Sequence, residues 1–566
     1  MATIYLKNGG VDKDDFEQIE KIWIRQLSER GCEPSANGTP VTLRLDKRID
    51  EDEYRIFADG TLVSGSKIGL LAALGRYLRD GSFDGKGGFT PATEDVALKM
   101  RSDIRGMYFA SHFFNFYHVA PIEKVYEILD SLALRGCNAL MAWYDMHHYT
   151  GVDDPESVKM IQRLKQIFRY AKALGMKLCF GTLANEAFSG TDEAIRADWR
   201  AINGYKTPPV GHYHVEICPN APGGMEEILR QRRAVLHAFS DIAFDFVSFW
   251  PYDQGGCTCA KCAPWGANGF LKIAPEFRKV VEEEMPGAKI LCSTWRFDDF
   301  IDGEWQAFYQ RMREEQFQFF AYLFNYFPSL EAVPEGIRRG VMPGGKKMIS
   351  FPEISMRGAV PWGGFGANPM PAYLEKNERE MGKYYVGCFP YSEGIFSDIN
   401  KAIMLGFATG QYATAYDILC DYAKYEFCAP QPEAVASLMF DMEETLPRHR
   451  MDQHGVCQDY LRKEAPADTV FHFAFENPQK IDAIYERARA IDAQLPQAMR
   501  ATWRWRILYL RAAIDFELYH NDGVQTETCE AYYRELTEIY YAQEADYCVS
   551  PPSREAMRLN RGGFLL

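Results

Sequence analysis

No stretch of this chain is apolar for long enough to cross a bilayer as a helix, which takes about 20 residues. The opening run, Met1-Ala-Thr-Ile-Tyr-Leu-Lys-Asn-Gly-Gly, has no charged segment followed by an apolar one, so no secretory signal is read there. Positive charge is in short supply as well. Sixty-three Lys and Arg face 78 Asp and Glu, and the formal net charge of −15 argues against nucleic acid and anionic membrane as partners. No Gly-rich phosphate loop follows the first apolar strand, which disfavours a doubly wound nucleotide-binding sheet. Cysteine is not scarce, but Cys179, Cys292 and Cys388 lie inside apolar strand-like runs, where they read as reduced core thiols. These features together predict a cytoplasmic protein.

What is present is a large apolar fraction. Hydrophobic residues make up 47% of 566, enough for a sizeable core and too many for a disordered chain, and the length suits about three domains. Aromatic residues reach 14%. Sugar clefts use them as stacking platforms and large cores use them as filler, and composition leaves the two readings open.

Three regions follow from the patterning. Residues 1–100 read as a small α+β domain. Val41-Thr-Leu-Arg-Leu alternates like a strand, Asp59-Gly60 marks a hairpin, and Ile68, Leu71, Leu74 and Leu78 form one helical stripe. Residues 101–410 alternate apolar strands with amphipathic helices. The strands are read at Gly106, Ala139, Lys177, Phe244, Lys289, Gln318, Lys347 and Tyr384. About eight such units over roughly 300 residues predict a (β/α)8 TIM barrel, an α/β fold with its strands covered by helices. Residues 411–566 are helical and aromatic-rich and read as a C-terminal α-helical domain, a packing and homodimerising bundle.

The chemistry is expected where barrel strands end. Asp145, His147 and His148 follow the second strand, Asn185 and Glu186 the third, Trp250 and Asp253 the fourth and Trp295 the fifth. Asn325 and Tyr326 follow the sixth, Glu353 the seventh, and Tyr391 and Glu393 the eighth. Burying charge is costly unless it is paired, so a ring of carboxylates at one barrel face points to function. Cleaving a glycosidic bond needs two: one protonates the leaving oxygen, the other activates water or attacks the anomeric carbon. Each candidate also has a structural reading, Asp253 as a turn cap, Glu186 as a cap or Arg partner, Glu393 as a partner of Arg357. Trp143, Trp250, Trp295 and Trp362 read equally as core or cleft wall. Beyond Asp253 lies Cys257-Thr-Cys259-Ala-Lys-Cys262. Three thiols so close fit a structural Zn²⁺ with a fourth ligand such as Cys218 or a nearby His, a disulfide, or free thiols packed in a loop; zinc is favoured over the disulfide. No cofactor is expected for catalysis.

The Tyr54-Arg-Ile56 strand, the Gly60 hairpin and the Gly69-Leu-Leu-Ala-Ala-Leu-Gly-Arg76 helix ahead of a barrel resemble the accessory domain of α-glucuronidases and β-hexosaminidases. Across residues 40–430 the chain resembles a divergent member of the family 67 α-glucuronidase and hexosaminidase-like glycoside hydrolases. The resemblance implies an exo-acting glycosidase cleaving a terminal sugar or uronic acid from an oligosaccharide, with Asp253 as general acid and Glu353 as the second catalytic carboxylate. It implies a further catalytic role for Glu393, and substrate contacts from Asp145, His147, Glu186, Trp250, Trp295, Asn325 and Tyr391. One departure stands out. The hexosaminidases carry Asp-Glu after the fourth strand, where this chain has Asp253-Gln254. The alternatives are a non-catalytic carbohydrate-binding barrel, a β-N-acetylhexosaminidase-type enzyme, and a barrel lyase or isomerase with His147, His148 or Tyr391 as base.

Overall fold

The computed structural model describes residues 4–112, 115–206, 215–251, 256–355, 366–445, 475, 477–521 and 526–540. The chain begins with β1 (Ile4–Asn8), β2 (Thr39–Leu45), β3 (Glu53–Ile56), β4 (Thr61–Ser64), the short hairpin β5 (Ser82–Phe83) and β6 (Phe89–Thr90), and β7 (Val96–Lys99). Five of these form a mixed sheet in the order β1-β2-β4-β3-β7. Helix Lys67–Asp80 packs on β3 and β4 through Ile68, Leu71, Leu74 and Leu78, the stripe read from the sequence. Ser66 caps it, its hydroxyl accepting from the Gly69 amide at 3.0 Å. Gly60 turns the expected hairpin with φ +84°. Beyond the sequence reading the structure adds β1, helix Lys13–Glu29, the β5–β6 hairpin and β7. The helix had a signal: an Asp12 N-cap and apolar residues Ile19, Ile22, Trp23 and Leu27 at helical spacing, all buried.

The barrel consists of β8 (Ile104–Phe109), β9 (Ala139–Trp143), β10 (Lys177–Leu183), β11 (Phe246–Trp250), β12 (Lys289–Ser293), β13 (Tyr322–Asn325), β14 (Met348–Ser350) and β15 (Gly387–Cys388), each parallel to the next. It closes where Gly387 and Cys388 pair with Ile104 and Arg105. Phe389 and Pro390 interrupt the last strand, which resumes as β16 (Tyr391–Ser392) on the far end of β8. Alternate side chains fill the interior, among them Tyr108, Met141, Trp143, Phe246, Leu291, Phe324, Ile349 and Phe389. The others, such as Leu140, Phe180, Val247, Phe249 and Leu323, meet the outer helices. Burial on both faces is why these strands read as continuous apolar runs.

One strand is corrected. The sequence places the sixth at Gln318–Tyr322; the structure places it at Tyr322–Asn325, after a 3-10 turn at Glu315–Phe317. The aromatics of that run serve a different purpose: Phe317 and Phe320 are buried in the layer outside the barrel, and Phe320 packs 6.3 Å from the Phe249 ring. The eighth strand likewise starts later than Tyr384, which lies in a 3-10 turn.

After the barrel, helix Asp398–Thr409 is buried along its whole length, between the barrel and helices Ala415–Phe427 and Trp503–His520. Burial forces its charges to pair. Arg504 bonds Asp398 at 2.9 Å, and nearby Glu426 takes Arg30 at 2.9 Å and Arg135 at 2.6 Å. Burial would raise the Glu426 carboxyl; Arg504, Arg30 and Arg135 outweigh it and hold it below its ordinary range. Arg30 ends the first helix, Arg135 follows barrel helix Ile122–Leu134, and Glu426 belongs to the C-terminal helices, so one ionic cluster joins the three regions. Among the described residues, no helix is long and apolar enough to cross a membrane.

Candidate active site

Because all eight strands run parallel, their carboxyl ends share one face. The centre of that face is aromatic. Trp250 lies 4.9 Å from Phe351 and 5.2 Å from Phe324, and Trp295 lies 5.9 Å from Trp250. Tyr391 stacks on Tyr108 at 5.3 Å. Trp250, Trp295 and Tyr391 are each only partly buried, so the aromatic floor reaches solvent.

Glu393 and Glu353 flank this floor. Glu353 pairs with Tyr391 in an isolated parallel bridge, and its carboxylate accepts from the Ser355 amide at 2.7 Å. Glu393 donates its own amide to the Ser355 hydroxyl at 3.0 Å, and its carboxyl accepts from the Tyr391 hydroxyl at 3.1 Å. Tyr391 and Ser355 therefore hold both carboxyls. Burial pushes Glu393 up to about 8; the charge of Glu353 adds to this, and hydrogen bonds from Tyr391 and Asn115 oppose it. The close approach of Gly394 to Phe116, where a Cβ would stand 2.3 Å from the ring-bearing Cβ, fixes the turn after Glu393. Tyr540, from the last described helix, reaches the Glu393 carbonyl at 3.3 Å and accepts from the Phe116 amide at 2.7 Å.

A second group sits after β9 and β10. His147 Nδ1 lies 2.7 Å from Asp145 and 2.9 Å from Glu186, and His148 Nε2 lies 3.1 Å from the other Asp145 oxygen. The Trp143 indole donates to the remaining Glu186 oxygen at 3.1 Å. Burial would lower His147, but the two carboxylates lift it to about 10. Asp145 goes the other way: burial would raise it, and His147 and His148 hold it well below its ordinary range. The Glu186 carboxylate thus faces His147 and Trp143, while its backbone carbonyl accepts from Arg232, on which its charge also acts. Nδ1 of His147 faces both carboxylates, and Asp145, His147 and His148 form an ion-paired network whose ligand atoms lie within 4.8 Å of one another. The two carboxylates favour the charged form of His147, which weighs against a general-base role. Asn325 turns inward on its own strand end, accepting from the Tyr326 amide at 2.7 Å.

Asp253 and Gln254 lie outside the described residues, as do Arg357, Trp362, His212 and His214. What surrounds Asp253 is described. Pro251 follows β11, its carbonyl bound to the buried Trp265 indole at 2.7 Å, and the Tyr205 hydroxyl accepts from the Trp265 amide at 2.9 Å. Cys257, Cys259 and Cys262 follow, and Cys218 joins them: the four sulfurs all lie within 4.8 Å of one another. After β12, Arg296 and Asp298 adopt φ of +59° and +69°, a left-handed backbone that non-glycine residues rarely take, and Trp295 precedes them.

Sequence reasoning passed over Ser355, Tyr108 and His112. His112 lies just beyond β8, edge-on to Trp143 at 5.2 Å, and the strand-end rule applied to the first strand finds it. Ser355 had no signal, since its role comes from two loops meeting.

No protein-family model matches this sequence, and no curated protein does. Solved structures do match in fold. A GH138 enzyme targeting pectin rhamnogalacturonan II superposes with a TM-score of 0.54 at 10% identity, over 95% of this chain and 73% of that one. The GH20 exo-β-N-acetylglucosaminidase of Vibrio harveyi gives 0.49 at 13% identity, over 75% and 73%. The GH20 β-N-acetylhexosaminidase of Streptomyces coelicolor A3(2) gives 0.47 at 12%, over 77% and 92%. The fold is that of a TIM-barrel protein with flanking N-terminal sheet and C-terminal helices, an architecture shared with the GH138 glycoside hydrolase.

Proposed function

We propose that this protein is an exo-acting glycoside hydrolase that removes a terminal sugar or uronic acid from an oligosaccharide. The observation that carries the reading is the Glu393–Glu353 pair: two carboxyls at one barrel face, one of them pushed up to about 8 by burial and by its neighbour. Two carboxyls, one able to hold its proton and one to accept or attack, are what acid–base cleavage needs. Glu393 keeps its proton near neutral pH and donates it to the leaving oxygen. Glu353, half-buried and hydrogen-bonded by the Ser355 amide, serves as base or nucleophile. Trp250, Trp295 and Tyr391 supply faces for a sugar ring, and the Asp145–His147–Glu186 network braces the wall beside them. Asp253, at the end of the fourth strand in sequence, is the competing acid. The fold shared with an enzyme that targets a pectin polysaccharide supports a carbohydrate substrate.

A panel of nitrophenyl glycosides and uronides tests the activity, and three variants test the roles. Glu353→Gln is expected to lower kcat about 10²-fold or more on all substrates. Replacing the acid should slow substrates with poor leaving groups far more than activated aryl glycosides, because a good leaving group needs little protonation. Glu393→Gln is expected to show that split and Asp253→Asn not to; the reverse pattern transfers the acid role to Asp253. Binding of sugars without turnover of any substrate would favour a carbohydrate-binding protein instead.

A further inference from the structure

We propose that Cys218, Cys257, Cys259 and Cys262 bind one zinc ion in a closed, four-thiolate structural site that clips together the loops after β10 and β11. The four residues come from two separate loops, yet their sulfurs converge to within 4.8 Å of one another. Cys218 stands 3.8 Å from Cys259 and 3.8 Å from Cys262. A tetrahedron with Zn–S bonds of about 2.3 Å has edges of about 3.8 Å, so these separations are the ones a zinc ion would impose. They are far too long for a disulfide, whose sulfurs lie about 2 Å apart.

The surroundings suit the charge of such a centre. Four thiolates around Zn²⁺ carry two net negative charges, and donors face the sulfurs. The Asn220 side-chain amide donates to Cys262 at 3.1 Å, and Lys272 donates to the Asn220 oxygen at 2.6 Å, bringing a positive charge one step away. Outer donors of this kind orient metal ligands. Three of the four cysteines are buried and Cys259 is partly exposed, which closes the site to substrate but leaves an entry path for the ion. With four thiolates bound, no coordination position remains for water, so the site is structural and not catalytic.

The clip reaches the candidate active site through Asn185, the neighbour of Glu186. Asn185 donates from its side chain to the Ile217 carbonyl at 3.0 Å, next to Cys218, and to the Gly256 carbonyl at 3.4 Å, next to Cys257. The Ile217 amide returns a bond to the Asn185 carbonyl at 2.9 Å. The ion would therefore hold the two backbone segments that hold Asn185.

The test measures metal on the full chain, purified under reducing conditions and without chelator, and is independent of the substrate. Elemental analysis should find one zinc per chain. Cys218→Ser and Cys259→Ser should lose it, whereas Cys420→Ser, a partly buried cysteine outside the cluster, should keep it. Should the serine variants fail to fold, the parent protein stripped of metal and refilled with Co²⁺ should show the visible absorption of tetrahedral cobalt bound to thiolates. No zinc after reconstitution with zinc salt, no thiolate–cobalt spectrum, or zinc retained in full by both Cys218→Ser and Cys259→Ser would overturn the proposal. Since metal content is read without substrate, its failure leaves the glycosidase reading untouched, and an inactive protein that holds zinc leaves this one untouched.

Discussion

A carboxyl that keeps its proton to about pH 8 must be read from both sides of the folding equilibrium. Glu393 is raised in the folded chain above the ordinary Glu value, so the folded state binds the extra proton between that ordinary value and about 8. Its contribution to stability is fully present at low pH and is lost as pH rises through that window. Glu393→Gln removes the titration. The variant is expected to lose less thermal stability than the parent between pH 5 and pH 8, which scanning calorimetry at the two values measures. Activity carries the same signature. If Glu393 is the acid, the alkaline limb of the pH–rate profile lies near 8, and Glu353→Gln moves that limb to lower pH in whatever turnover remains, because Glu353 is one cause of the shift. An alkaline limb unmoved in Glu353→Gln would separate the two carboxyls.

At the scale of an element, the loop leaving β11 packs closely against one ring. Gly256 has φ +77°, and a Cβ there would stand 2.3 Å from the Trp265 indole, which is itself fully buried and bonded to the Pro251 carbonyl. Neither the ring nor the backbone has room to yield. Gly256→Ala combines backbone strain with overpacking and is expected to cost about 2–4 kcal/mol. Gly287→Ala is the control. It has the same kind of backbone, φ +89°, but nothing within 4 Å of the added carbon, so strain alone should cost about 1 kcal/mol. Denaturant midpoints of the two variants, compared with the parent, measure the difference; equal losses would mean that Trp265 does not define this loop.

At the scale of the molecule, Glu426 is the point where the N-terminal region, barrel and C-terminal helices share charge. Removing it takes a carboxylate partner from the buried Arg30 and from the half-buried Arg135 at once. Glu426→Ala is expected to destabilise the chain by about 3–5 kcal/mol, the cost of breaking a buried ion pair from one side. Hydrogen exchange should rise in helix Lys13–Glu29 and helix Ala415–Phe427 together, since Arg30 closes the first and Glu426 lies in the second. Faster exchange in one helix alone would show that the cluster does not couple the regions.

The sequence by itself determined the barrel and the face on which its polar groups lie, because both rest on local periodicity. Strands buried on two sides are written as apolar runs, helices as stripes, and the residue after each run marks a strand end whatever its neighbours are. That is why Asp145, Glu186, Glu353 and Glu393 could be named from spacing, and why the sixth strand went astray: the run from Gln318 to Tyr322 is apolar because its rings pack outside the barrel, which looks the same in one dimension. Roles were decided only by tertiary contacts. His147 reads as a candidate base in the sequence, and two carboxylates from different loops favour its charged form. Glu393 reads in the sequence as a catalytic carboxyl or as a partner of Arg357, and burial beside Glu353 raises its pKa. Cys218 stands 39 residues before Cys257 in the chain and under 5 Å from it in space. Electrostatic and ligand-forming interactions depend on distance through space, and closure of the barrel sets those distances.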